Sequence, residues 1–104
     1  MALPLTLRFT TTAAPVQAEG TVDGHALYFR ARNESWELAV SEDASVDPAA
    51  IRSEEHGFYR TAVYPGGPQA ASYLPLAEAE ALIRRCAIEY LESRCRGVAG
   101  AVEA

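Results

Sequence analysis

A chain of 104 residues, 49% hydrophobic and 22% charged, is long enough for one domain with its own core and too short for two ordinary ones. Nine basic residues, all Arg, stand against fourteen acidic ones, and the formal net charge of −5 argues against a phosphate-tracking nucleic-acid binder, which needs a basic stripe. The start, Met1 to Thr12, lacks a signal-peptide pattern, and no run approaches the roughly 20 apolar residues of a membrane span, so the expectation is a cytoplasmic protein that binds neither nucleic acid nor membrane. The absence of Lys and the abundance of Ala fit the coding bias of a GC-rich bacterial genome.

In chain order, Leu3, Leu5, Leu7 and Phe9 alternate with Pro4, Thr6, Arg8 and Thr10, the pattern of a half-buried strand with Pro4 at its start or on an edge. Thr11 to Pro15 is a connection. The segment from Val16 to Val40 then reads as a β-meander. Asp23-Gly24 is a preferred two-residue hairpin turn and pairs Val22 with His25, Gly20 with Leu27, Ala18 with Phe29 and Val16 with Ala31. A second turn at Asn33-Glu34 pairs Ala31 with Trp36, Phe29 with Leu38 and Leu27 with Val40. Both turns place Leu27, Phe29, Ala31, Trp36, Leu38 and Val40 on one face. A slip of one residue would turn that whole set to solvent, so the register is well specified. Gln17, Glu19, Thr21, Tyr28, Arg30, Arg32, Ser35 and Glu37 fall on the other face, with Arg30 opposite Glu37 in a pair expected to contribute at most about 1 kcal/mol.

Ser41 to Gly57 is polar and acidic, and Asp47-Pro48 predicts a short helical turn with Asp as N-cap and Pro at the first helical position. Phe58 to Tyr64 is a strand, Pro65-Gly66-Gly67-Pro68 breaks it, and Ala70 to Leu74 is a candidate sixth strand. A helix follows from Pro75 or Leu76 to Arg96, its apolar stripe made by Leu82, Ile83, Cys86, Ala87, Tyr90 and Leu91. Gly97 supplies a stop, which leaves residues 97–104 as a flexible tail on a single 1–96 domain. The predicted class is α+β: an antiparallel sheet of five or six strands packed on one long C-terminal helix.

This architecture leaves a geometric shortfall. Six strands make a sheet roughly 25–29 Å wide, and one helix is only about 10–12 Å across. Either the sheet curls around the helix, or the 41–57 segment covers the remainder, or a second subunit does.

Few residues suggest chemistry. His25 falls at a strand end on the core face, and His56 reads as a loop histidine; no HxxxH, HExxH or CxxC accompanies them, so neither metal nor cofactor is expected. Asp43, Ser45, Asp47 and Glu54 imitate a calcium loop but put Pro48 where the sharp turn needs Gly. Cys86 belongs to the apolar stripe. Cys95 lies about 180° around the helix from it, between Arg94 and Arg96, at an end whose dipole disfavours a thiolate. Tyr64 to Gln69 lacks a phosphate-cradling glycine frame, and Ser35, Ser72 and Ser93 lack a nucleophile-elbow context. Two groups remain. Tyr28, Arg30, Arg32 and Glu37, joined by Tyr59 or Arg60, form a candidate interaction surface, although a solvated face with one ion pair is the plainer reading. His25, Phe29, Trp36, Tyr73 and Tyr90 are the candidate lining of a ligand pocket between sheet and helix. The leading expectation is therefore a non-enzymatic domain acting through protein contact, most simply as a homodimer. The alternative is a small-molecule-binding domain with that pocket, and an enzyme would need His25 or His56 to meet a carboxylate there.

Overall fold

The computed structural model describes residues 3–103, without the side chains of His56 and of residues 95–103. Five strands, β1 (Leu5–Thr12), β2 (Val16–Val22), β3 (His25–Arg32), β4 (Ser35–Ser41) and β5 (Phe58–Val63), form one antiparallel sheet in sequence order. One helix, α1 (Leu76–Glu103), follows them, and the fold is α+β. The helix, expected to end at Arg96 with a stop at Gly97, continues through Gly97 to Glu103, and the side chain of Cys95 lies outside the described residues.

The meander has the register that its turns dictate, with Val22 against His25, Ala31 against Trp36 and Leu27 between Gly20 and Val40. At the first turn Asp23 and Gly24 both take positive φ, 51° and 81°, the requirement of a tight hairpin that follows the strand twist. Asn33 supplies φ 58° at the second. The Asp47-Pro48 signal also holds: Pro48–Ala50 is a single 3-10 turn, and the Asp47 carboxylate accepts the Ala49 N–H at 2.9 Å.

No sixth strand forms at 70–74. Ala71–Tyr73 is instead a 3-10 turn, and Ala70 already has helical angles. Its backbone is used as a corner clamp. The buried Ser72 hydroxyl accepts the Asn33 N–H at 2.7 Å, its carbonyl accepts the Ala14 N–H at 2.7 Å, and Ala71 donates to the Asn33 carbonyl at 2.9 Å. These bonds tie two loops at one end of the sheet to the start of α1, a use of backbone groups that a strand pairing would compete with.

Val16, Ala18, Val22, Leu27, Phe29, Ala31, Leu38 and Val40 meet Ala71, Leu74, Ala79, Ile83, Cys86, Ala87 and Tyr90 in one core between sheet and helix. Trp36, expected to be fully core, is half-buried and stacks on Phe29 at 6.1 Å between ring centroids. Its neighbour across β5 is Ala62, too small to cover an indole.

The 41–57 segment does not complete the cover of this face. Ile51 and Ala39 are both buried yet stand apart from the main core, and Ala39 lies between Tyr28 and Tyr59 on the opposite face. Pro48–Ala50 packs on β3 and β4 there. The segment is a strap over the outer face, so Tyr28, Arg30 and Glu37 are half-buried rather than fully solvated.

Curling of the sheet is visible at Gly20. A Cβ on this residue would lie 2.0 Å from the Thr6 carbonyl oxygen, so β1 crosses closer to β2 than any side chain allows. Gly20→Ala is therefore expected to destabilise the fold by about 3 kcal/mol or more, because the obstructing atom belongs to backbone. Urea unfolding of the variant checks this; a midpoint unchanged from the parent would show that β1 does not approach so closely.

Candidate functional site

Strand parity sends Tyr28, Arg30 and Arg32 of β3 and Ser35 and Glu37 of β4 to the outer face, as alternation requires. The ion pair expected between Arg30 and Glu37 is absent, although the two remain directly opposite. Glu37 is taken from the other side. One carboxylate oxygen accepts the Tyr59 hydroxyl at 2.9 Å, and the other lies 3.6 Å from an Arg52 guanidinium nitrogen. Gln17, the other cross-strand neighbour of Arg30, donates its amide to the Tyr28 hydroxyl at 3.0 Å and accepts from Thr11 at 3.2 Å. Arg30 Nε is buried with no hydrogen-bond partner among the described residues.

Arg30, Arg32, Ser35, Glu37, Arg52 and Val63 line an open notch of about 470 Å³, with Asn33, Glu34 and Trp36 at its end. Arg52 comes from the strap, and nothing in its local sequence marks it; only the path of the 41–57 segment brings it here. Arg60, named beside Tyr59 as an extension of this surface, points the other way. It pairs with Leu38 in register, lies over the Phe58 ring at 4.3 Å and meets Glu89 of α1 at 3.4 Å and Glu54 at 3.2 Å.

The five residues read as a pocket lining form two aromatic pairs and one exposed side chain. Phe29 is wholly buried and stacks on Trp36, and Tyr73 is 64% exposed. His25 and the buried Tyr90 meet edge to face with centroids 6.3 Å apart. A concavity of about 580 Å³ does lie beside α1, lined by Glu42, Val46, Phe58, Arg60, Tyr90 and Arg94 among others. Its charges answer one another. The Tyr90 hydroxyl donates to Glu42 at 2.5 Å, and Arg94 reaches Asp23 at 2.8 Å and Glu42 at 3.5 Å.

Cys86 is buried in the core, and burial pushes its thiol up to about 11, where it stays protonated and unreactive at neutral pH. Asp43 and Asp47 spend their carboxylates on turn N–H groups, Asp43 on Ser45 at 2.9 Å and Asp47 on Ala49. Those bonds from Ser45 lower the pKa of Asp43. Among the described residues no three His, Cys, Asp or Glu side chains gather as a metal site, and no helix is long and apolar enough to cross a membrane. The side chain of His56 lies outside the described residues. No protein-family description matches the chain, and no curated protein or solved structure is significantly similar to it.

Burial, followed by the hydrogen bond to a carboxylate, raises the pKa of Tyr59 (bonded to Glu37) and of Tyr90 (bonded to Glu42) above the ordinary tyrosine value of 10.0. A raised folded-state pKa means that these phenols contribute stability fully below about pH 10, and that the contribution is lost as pH rises through the raised values. Spectrophotometric titration should show late-ionising tyrosines, and Tyr90→Phe should remove one of them. Five equivalent phenols would contradict this assignment.

Proposed function

We propose that this domain acts through protein contact, as a homodimer formed along the β1 edge. The observation that carries the reading is an asymmetry between the two edges of the sheet. On the helix side of β5, Arg60 bonds Glu89, and Tyr64, just past the strand, bonds Glu78, so polar contacts with α1 seal that flank. On β1, Leu5, Leu7 and Phe9 face the helix side yet remain half-buried, and among the described residues no hydrogen bond or ion pair joins β1 to α1. Leu91 is likewise half-buried, and Ile88 is 48% exposed.

An apolar row on a free strand edge invites pairing with another strand. The row is self-complementary, as a two-fold interface requires. Antiparallel pairing of two β1 strands centred on Leu7 sets Leu5 opposite the partner's Phe9 and Arg8 opposite the partner's Thr6, so no like charges meet. Pro4 before the strand and the irregularity between Phe9 and Thr11 limit the pairing to this stretch. The composition, rich in Ala and without Lys, supports a bacterial protein, and a cytoplasmic setting belongs to the same proposal. The concavity beside α1 lends less support to a small-molecule pocket, because its charged groups already satisfy each other.

Sedimentation equilibrium tests the proposal. The parent should sediment at twice the chain mass at high micromolar concentration, and Leu7→Lys, a guard charge on the edge, should sediment at one chain mass with unchanged circular dichroism. Leu5→Lys serves if the first variant fails to fold. A parent that stays strictly monomeric would overturn the reading.

A further inference from the structure

We propose that the outer notch beside the β3–β4 turn binds a small oxyanion, a carboxylate or phosphate group, on Arg30 and Arg32. The site is on the opposite face from Leu5, Leu7 and Phe9 and does not depend on dimer formation.

Two guanidinium groups on this face are left without partners among the described residues. Arg30 and Arg32 are two apart on one strand, so their side chains leave the same face with Cα atoms about 6.5–7 Å apart. Each should find an acceptor across the strands. Arg30 faces Gln17 and Glu37, and both are already used, Gln17 by Thr11 and Tyr28 and Glu37 by Tyr59 and Arg52. Arg32 faces Ser35, which carries no charge. Among the described residues neither guanidinium has a carboxylate within ion-pair distance, and Arg30 Nε is shut off from solvent without an acceptor. A buried cationic donor cannot be left to bulk water, and two adjacent like charges repel until an anion comes between them.

The surroundings select the class of ligand. Arg52 adds a third guanidinium on the rim, and the notch holds only two carboxylates, Glu34 and Glu37, the latter paired with Arg52. The notch is thus locally positive on a chain whose net charge is −5. The planar fork of Arg matches the paired oxygens of carboxylate and phosphate. At about 470 Å³ the space fits a small metabolite anion.

Calorimetric titration of the full chain with succinate and, separately, with inorganic phosphate tests the site, with chloride at matched ionic strength as reference. Fluorescence of Trp36, the single tryptophan, which lies on β4 between Ser35 and Glu37 of the notch, gives a second readout. Saturable binding of either probe is expected, and the probe that saturates distinguishes a carboxylate from a phosphate source. Arg30→Gln and Arg32→Gln should each weaken it at least tenfold, while Arg8→Gln, whose parent residue pairs with Glu19 elsewhere on this face, should not. Arg32 is exposed, so its variant keeps the test intact if Arg30→Gln fails to fold. The proposal is overturned if neither probe exceeds chloride, or if both notch variants bind as the parent does.

Discussion

The packing of one helix on one face of a five-stranded sheet is the contact on which the remaining structure depends. Leu27, Phe29, Leu38 and Val40 share one buried core with Ile83, Ala87 and Tyr90 of the helix. Five strands span about 19 Å between the outermost axes, and a helix covers about 10–12 Å of that. The two edges must therefore be completed by other means. They are treated differently: polar bonds to α1 close the β5 side, and a sharp approach at Gly20 folds β1 inward without fully burying its apolar row.

The start of α1 and its stretch at Tyr90 and Arg94 are held by polar contacts that the core alone would not specify. Ser72 anchors the chain just before the helix to the turns at Ala14 and Asn33. Farther along, Tyr90 and Arg94 converge on Glu42, and Arg94 also reaches Asp23 in the first hairpin turn. Apolar packing is non-directional and sets only that the stripe is buried. These directional bonds set where along the sheet the helix lies.

A second layer of consequence appears on the outer face. Ile51 is buried apart from the core beneath the helix, and the next residue of the strap, Arg52, meets Glu37. Glu37, once paired with Arg52 and Tyr59, is no longer available to Arg30 across the strands. The course of the strap thus bears on which guanidinium is left without a counter-ion. The link from burial to charge runs through a segment with little regular structure of its own.

Much of the fold was legible in the chain because its signals are local. A two-residue turn transmits register directly, so Asp23-Gly24 and Asn33-Glu34 determined both faces of the meander. The stripe from Leu82 to Leu91 likewise determined which side of the helix is buried. The long 42–57 connection transmits no register, and for that reason the face of Arg60 could not be read. The 70–74 stretch looked like a strand, yet long-range bonds from Ser72 to Asn33 and Ala14 made it a turn. The sequence by itself thus determined the α+β class, the meander register and which face of the meander turns to the core. Only the tertiary structure decided the course of the strap, the partner of Glu37 and the isolation of Arg30, because each depends on competition among groups distant in the chain.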